Sequence, residues 1–142
     1  MEHLLRVPKF WFGSFILWAA TLYTLSSFSK TLPDGTPEIP HLDKVLHFGF
    51  FLGGGFILGT WVLLRKKFPA KPLVRIAFPL VILAIVGALD EYHQTFTPGR
   101  SGNDPFDWLA DVSGAASGLF IANLVHPLLL KYSSTVTEIS EI

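Results

Sequence analysis

The chain has no cysteine and few charged residues. Without cysteine it forms no disulfide, offers no thiolate to a metal ion and contains no cysteine nucleophile. Charged residues make up 15% of its 142 positions, whereas 50% are hydrophobic; a typical soluble domain has about 25% charged residues. Equal numbers of basic and acidic residues give a formal net charge of zero, which excludes a polybasic nucleic-acid-binding protein. This composition indicates a membrane protein.

Four apolar stretches are separated by loops that contain proline and glycine. Because about 20 apolar residues cross the hydrocarbon core of a bilayer, we predict transmembrane helices over residues 10–29, 45–64, 73–95 and 108–130. A cleaved signal peptide is the alternative for the first stretch, but the stretch exceeds the usual length of about 7–15 residues and lacks a small-residue cleavage site. The predicted fold is an all-α bundle of four transmembrane helices in one domain, residues 1–132, followed by a polar, frayed tail, residues 133–142.

The distribution of lysine and arginine predicts the orientation of these helices. Eight basic residues lie at the two termini and in the second loop, and three lie in the first and third loops. Loops that retain positive charge stay in the cytoplasm, so both termini are predicted to be cytoplasmic. The outer side then carries eight acidic residues. Acidic residues contribute little to orientation, so we look for the function in this acidic outer cluster.

Polar side chains recur at the outer ends of three predicted helices, four residues apart in each case. The pairs are Asp43 and His47, Asp90 and Gln94, and Asp107 and Asp111. Residues with this spacing share one face of a helix. An ionisable group inside the membrane near the end of a helix costs on the order of 2–3 kcal/mol unless it is paired or hydrated. Their matched depth on three helices therefore indicates a functional cluster.

An ordinary structural explanation exists for each of these groups. Asp43, Asp104 or Asp107 can cap a helix N-terminus, and the acidic residues of the third helix can form ion pairs with Lys44 or Arg100. Arg100 lies in a loop of turn-forming residues, and its guanidinium group is a bidentate partner for carboxylate or phosphate. It therefore either neutralises the cluster or binds an anionic ligand.

Glycines four residues apart occur on the second and fourth predicted helices. These glycines are Gly49 and Gly53, Gly55 and Gly59, and Gly114 and Gly118. Small residues with this spacing allow two helices to approach closely in a membrane. We therefore predict that the second and fourth helices contact each other.

Three motifs together resemble the VanZ-like family over about residues 41–120. They are Asp43-Lys44-x-x-His47-Phe48, Asp90-Glu91-x-x-Gln94-x-Phe96-x-Pro98-Gly99-Arg100 and Asp107-x-x-Ala110-Asp111-x-x-Gly114-x-x-x-Gly118. VanZ-like proteins are small multi-span membrane proteins, and the founding member is associated with low-level resistance to teicoplanin. The resemblance implies a protein of the bacterial inner (cytoplasmic) membrane. Asp111 stands where the family usually has asparagine, and an ionised carboxylate cannot donate the hydrogen bond that an amide donates.

The first functional hypothesis is an outward-facing enzyme that acts on an anionic headgroup, such as that of a lipid-linked cell-wall precursor. His47 would be the general acid or base and Glu91 its catalytic partner. A divalent cation would stabilise a transferring phosphate. The predicted substrate-binding residues are Arg100, Gln94 and Lys44, and the predicted cation ligands are Asp43, Asp107 and Asp111.

Three alternatives use the same residues without this chemistry. The cluster could bind a glycopeptide or cell-wall intermediate as a non-catalytic module, or the chain could be a structural partner in a larger envelope complex. A proton or ion-coupled transporter is disfavoured because only Asn123 and His126 are polar near the inner end of the fourth helix. In every case membrane lipid is the expected partner.

Overall fold

The computed structural model describes residues 7–29, 40–65 and 71–140, with side chains as far as Pro127. Within these ranges the protein has four helices and no strand: α1 (Pro8–Ser26), α2 (Leu42–Leu64), α3 (Pro72–Gln94) and α4 (Pro105–Ser140). Most of the first and second predicted loops lies outside the described residues. The same holds for several of the charges used to predict orientation, which are Arg6, Lys30, Asp34, Glu38, Lys66 and Lys67.

Proline begins three of the four helices, at Pro8, Pro72 and Pro105. Its fixed φ angle suits the first helical turn, where its missing N–H group would have no partner in any case. Asp104 precedes α4, and its Oδ1 atom accepts a hydrogen bond of 2.8 Å from the backbone N–H of Phe106. Asp104 therefore caps α4, as one of the structural explanations predicted.

The start of α2 has no such cap. The preceding residue, His41, lies in the left-handed region with a φ of 60°, and no side chain caps the helix. Asp43 is in the first turn, where its charge suits the positive end of the helix dipole, but its carboxylate bonds Lys44. Asp43 is therefore not the N-cap residue of α2, and only the charge effect of the capping hypothesis applies to it.

Three helical segments are long and apolar enough to cross a membrane. They are α2, α3 and the part of α4 from Pro105 to Pro127. The 19-residue α1 is not among the described helices that meet this criterion. The prediction of an all-α, membrane-type protein is confirmed to this extent.

The fourth helix is longer than predicted. We expected a frayed tail after residue 132, but α4 continues to Ser140. The segment after Pro127 contains neither glycine nor proline, so nothing in its sequence interrupts the backbone hydrogen bonds of a helix.

The most extensive contact in the bundle joins α2 and α4. A Cβ atom on Gly114 would overlap the carbonyl group of Phe48, and one on Gly118 would overlap the carbonyl group of Leu52. Only glycine permits the two backbones to approach this closely. The predicted contact between the second and fourth helices is therefore confirmed.

Not every predicted glycine takes part in this contact. Gly55 and Gly59 face α4, whereas no heavy atom would lie within 4 Å of a Cβ on Gly49 or Gly53. Position 49 lies six residues before position 55, which on a helix of 3.6 residues per turn places it on another face.

Helix α1 packs against this pair mainly through Trp18. The indole is buried in the core, and its Nε1 atom donates a hydrogen bond of 3.0 Å to the carbonyl oxygen of Phe50. Gly54 leaves the space for the ring, because a Cβ at that position would lie 2.5 Å from it. This packing places the end of α1 beside the polar ends of α2 and α3.

Candidate functional site

The predicted site residues converge at one end of the bundle. The N-termini of α2 and α4 lie beside the C-terminus of α3 at this end, because hydrogen bonds and ion pairs join all three. Neighbouring helices that run in opposite directions place the start of one beside the end of the next. Polar residues that are far apart in the sequence therefore meet there.

Lys44 joins the starts of α2 and α4. Its ammonium nitrogen lies 2.9 Å from Asp43, 3.0 Å from Asp104 and 3.0 Å from Asp107. The hydrogen bond from Lys44 holds the pKa of the Asp104 carboxyl below its usual range, because the ammonium group stabilises the ionised form. The Asp43 side chain is 57% exposed, whereas that of Asp107 is only 9% exposed. The strongest constraint on Lys44 therefore comes from Asp107.

His47 and Asp111 form a second, more deeply buried pair. The Nδ1 atom of His47 lies 2.9 Å from Oδ1 of Asp111, and Asp111 is 0% exposed. The other oxygen, Oδ2, has no hydrogen-bond partner. It lies against Gly87 of α3, where a Cβ atom would be 2.8 Å away. Glycine at position 87 thus makes the space that the carboxylate occupies.

The three predicted cation ligands are divided between these two groups. Asp43 and Asp107 share the Lys44 ammonium group, and Asp104 is the third carboxylate there. Asp111 pairs instead with His47. A divalent cation bound by Asp43, Asp107 and Asp111 together stays a prediction.

A chain of hydrogen bonds runs from α1 through α3 to the following loop. Ser26 donates to Asp90 Oδ1, and Gln94 Nε2 donates to Asp90 Oδ2 over 2.8 Å. Arg100 then donates to Gln94 Oε1 from Nε at 3.1 Å and from Nη2 at 2.7 Å. Arg100 and Gln94, both predicted to bind substrate, are thus held together, and Asp90 fixes the orientation of the amide between them.

Ser26 and Thr97 are members of the site that the sequence analysis did not identify. Both are buried, and Thr97 Oγ1 donates a hydrogen bond of 3.0 Å to the carbonyl oxygen of Ser26. The signal available in the sequence was the serine at the end of an apolar run. A serine at a helix end is common, so it does not identify a partner on α3.

Glu91 is held on one side only. Its Oε2 atom accepts a hydrogen bond of 2.8 Å from the backbone N–H of Asp104, while its Oε1 atom is buried without a partner. A carboxylate oxygen of Glu91 lies within 4.8 Å of a ring nitrogen of His47 and of an oxygen of Asp90. The two residues predicted to be catalytic, His47 and Glu91, are therefore neighbours.

Two cavities meet at this group of side chains. The larger, of about 460 Å³, and the smaller, of about 210 Å³, share Leu46, His47, Gln94 and Arg100 in their walls. The smaller cavity also has polar walls from Asp43, Ser101 and Asp107. The larger continues as an apolar groove whose walls include Leu22, Leu25, Val45, Gly49, Phe50 and Phe51.

Near the opposite end of the apolar part of α4, Asn123 has a local role. Its Nδ2 atom donates a hydrogen bond of 2.8 Å to the carbonyl oxygen of Leu119, four residues earlier. Asn123 therefore pairs with the backbone of its own helix.

The fold and the site define a small helical membrane protein with a buried polar cluster at one end of its helices. The family model for VanZ/LLP1 matches residues 5–126, and the chain belongs to this family. The resemblance inferred from the three motifs is thereby confirmed. No curated protein and no solved structure matches the chain.

Proposed function

We propose that this protein spans the bacterial inner membrane four times, with both termini in the cytoplasm, and binds an amphiphile with an anionic headgroup at its outer end. The positive charge at the termini and in the second loop supports this orientation. The packing of Trp18 against α2 supports the proposal that α1 also spans the membrane, in addition to α2, α3 and α4. The polar cluster then lies on the outer side.

The junction of the two cavities carries the proposal. A volume of about 460 Å³ lies within the range of about 300–1,000 Å³ that is usual for small-molecule sites. Its apolar walls suit an acyl or polyprenyl chain, and its polar end is formed by Ser26, His47, Asp90, Gln94 and Arg100. Hydrophobic walls with a few convergent polar groups are typical of a site that orients an amphiphile.

Within this site we assign the headgroup contacts to Arg100 and Gln94. A guanidinium group matches the geometry of phosphate or carboxylate, and Gln94 holds Arg100 in place by accepting two hydrogen bonds from it. Lys44 already bonds three carboxylates, so its contribution to substrate binding is to hold α2 against α4.

The substrate class that we propose is a lipid-linked cell-wall precursor, which combines a long apolar chain with a phosphate group. Binding of such a precursor would relate this site to resistance against glycopeptide antibiotics, because the founding member of the family is associated with teicoplanin resistance. We therefore expect expression of the chain to raise the minimum inhibitory concentration of teicoplanin in a susceptible host.

Binding is tested with a variant that fills the apolar groove without disturbing the packing of the helices. Gly49 lines the larger cavity, and a Cβ atom there would meet nothing within 4 Å, so Gly49→Leu extends a side chain into the groove. Gly53→Leu is the matched control, because Gly53 is equally open but is not part of the cavity wall. Native mass spectrometry then measures the retention of undecaprenyl phosphate, phosphatidylglycerol and phosphatidylcholine.

We expect the unmodified protein and Gly53→Leu to retain the anionic lipids in preference to phosphatidylcholine. Gly49→Leu is expected to lose at least half of the retained anionic lipid. Equal retention of all three lipids, or equal retention by the two variants, would contradict the proposal. Undecaprenyl phosphate retained above phosphatidylglycerol would support the precursor as the substrate class.

Chemistry on the headgroup is the second candidate function. The buried Asp111 carboxylate fixes the ring of His47, an arrangement that prepares imidazole for general acid–base catalysis, and Glu91 is adjacent. Release of phosphate or of a modified lipid from undecaprenyl pyrophosphate, abolished by His47→Gln and by Glu91→Gln, would support an enzyme. Retention of lipid without product would support a binding module, and uptake driven by a pH gradient in proteoliposomes would support a transporter.

A further inference from the structure

The carboxylates of Asp90 and Glu91 are adjacent in the sequence and both are buried. Asp90 is 6% exposed and Glu91 is 4% exposed. In the part of the chain that the structure describes, no lysine or arginine nitrogen forms an ion pair with either carboxylate, and Lys44 bonds only other aspartates. Two adjacent buried negative charges are costly unless a positive charge or a proton compensates them.

His47 completes this group on the side of α2. One ring nitrogen of His47, one oxygen of Asp90 and one oxygen of Glu91 all lie within 4.8 Å of one another. The Glu91 carboxylate is turned into this group, and its Oε1 atom has no hydrogen-bond partner although it is buried. An orphaned buried acceptor beside an imidazole indicates that a ligand belongs there.

Asp111 gives His47 the surroundings of a metal ligand. A histidine that binds a metal ion through one nitrogen usually donates the N–H of its other nitrogen to a carboxylate, which fixes its tautomer and orientation. The Nδ1 atom of His47 lies 2.9 Å from Oδ1 of the fully buried Asp111. If Nδ1 is the donor, the lone pair is on Nε2.

We propose that His47, Asp90 and Glu91 bind one divalent transition-metal ion. Two carboxylates supply the two negative charges that such an ion balances. Imidazole suits Zn²⁺ rather than Mg²⁺ or Ca²⁺, which prefer oxygen ligands. His47 and Asp90 are both in the wall of the larger cavity, so the proposed ion lies beside that cavity.

The proposed metal site does not depend on the proposed lipid site, because only side chains of the protein form it and no bound lipid is needed. It does change the second candidate function, because a His47 that ligates a metal ion is not free to act as a general base. The metal content of the purified protein therefore also distinguishes between these two roles of His47.

The test uses the full chain in phosphatidylcholine nanodiscs, purified without a polyhistidine tag and treated with chelator. Zn²⁺ is titrated by isothermal calorimetry, and bound metal is counted by mass spectrometry. We expect one Zn²⁺ per chain. Glu91→Gln keeps the shape of the side chain but removes the charge, and it is expected to weaken Zn²⁺ binding by at least about 10-fold. Asp111→Asn, which changes only the residue behind the ligand, is expected to weaken binding by roughly 10–100-fold.

Two further variants separate this site from its surroundings. The control is His93→Gln, which alters a histidine whose ring contacts Tyr23 of α1 and is expected to bind Zn²⁺ as the unmodified protein does. Asp43→Asn alters the exposed carboxylate beside Lys44 and tests the rival set of ligands Asp43, Asp107 and Asp111. Loss of binding in Asp43→Asn with full binding in Glu91→Gln would place the ion in the Lys44 group and overturn the proposal.

A measurement on the unmodified protein guards against variants that do not fold. Co²⁺ bound by imidazole and carboxylates gives visible absorption, and added Zn²⁺ is expected to remove it by displacement. Absence of this absorption, together with less than one tenth of a Zn²⁺ ion per chain, would overturn the proposal. A proton shared by Asp90 and Glu91 would then be what compensates their charge.

Discussion

His47 and Asp111 join α2 to α4 in the interior of the bundle, with Nδ1 of the histidine 2.9 Å from Oδ1 of the aspartate. His47 also lies within 4.8 Å of the carboxylates of Asp90 and Glu91, and Asp111 lies one helical turn after Asp107, which bonds Lys44. The pair therefore links the Lys44 group with the Asp90–Glu91 group. Its stability therefore bears on every function proposed for this end of the molecule.

Asp111→Asn is expected to fold, with a smaller loss of stability than Asp111→Ala. The asparagine oxygen still accepts a hydrogen bond from His47, whereas alanine leaves the nitrogen of His47 buried without a partner, at a cost of about 1–3 kcal/mol. Thermal unfolding in detergent, followed by circular dichroism, compares the two variants; an equal loss in both would show that the charge of Asp111 is what matters.

Gly118→Ala is expected to disrupt the α2–α4 contact. A Cβ atom at position 118 would overlap the backbone of Leu52, and overpacking of this kind costs about 1–3 kcal/mol or more. Gly53→Ala is the control: it meets nothing within 4 Å, and replacing a helical glycine with alanine favours the helix by up to about 1 kcal/mol. Melting temperatures should fall for the first variant and hold or rise for the second. A similar fall in both would contradict this account of the interface.

Asp107→Asn is expected to destabilise the bundle more than Asp43→Asn. Both carboxylates bond Lys44, but the Asp107 side chain is 9% exposed and the Asp43 side chain is 57% exposed. A buried charge-assisted hydrogen bond contributes about 1.5–3 kcal/mol, whereas an exposed ion pair contributes about 0–1 kcal/mol. Urea unfolding at low and high salt measures both, and the small effect of Asp43→Asn should vanish at high salt. A larger loss of stability in Asp43→Asn than in Asp107→Asn would show that exposure does not determine the strength of these ion pairs.

Ser26→Ala is expected to loosen α1 from α3. Its hydroxyl donates to the buried Asp90 carboxylate, and loss of that donor leaves an acceptor oxygen unsatisfied, at a cost of about 1–3 kcal/mol. Thr24→Ala is the nearby control, because the exposed Thr24 hydroxyl donates to the carbonyl oxygen of Ala20 in its own helix. Limited proteolysis after Ser29 should accelerate in the first variant only; acceleration in neither would mean that the Ser26–Asp90 bond does not hold α1.

The sequence predicted the helices and the gathering of their polar ends because both depend on local spacing. Asp107 and Asp111 share a helix face wherever that helix packs, and glycines four residues apart indicate a close helix contact. The specific partners depend on how the helices are rotated against one another. That Lys44 bonds Asp104, that Asp111 turns to His47, and that Gly49 faces away from α4 follow from that rotation.

Ser26 is a single residue whose partner could not be predicted from local sequence spacing. Its hydroxyl becomes important only because Trp18 and Gly54 bring α1 close enough to α3 for a bond to Asp90. A sequence pattern on α1 alone contains no information about that distance. The length of α4 was missed for another reason, since we treated its polar composition as evidence against a helix although it contains no breaker after Pro127.

The larger cavity is bordered by side chains that also face outward, among them Leu25, Val45 and Leu46. A lipid bound at the site that we propose would therefore reach it by lateral diffusion within the membrane, without passing through water. Its occupancy would depend on the mole fraction of that lipid in the membrane and not on a concentration in solution. Competition between ligands at this site would accordingly be governed by membrane composition, so that a minor lipid must be preferred strongly enough to offset the abundance of its neighbours.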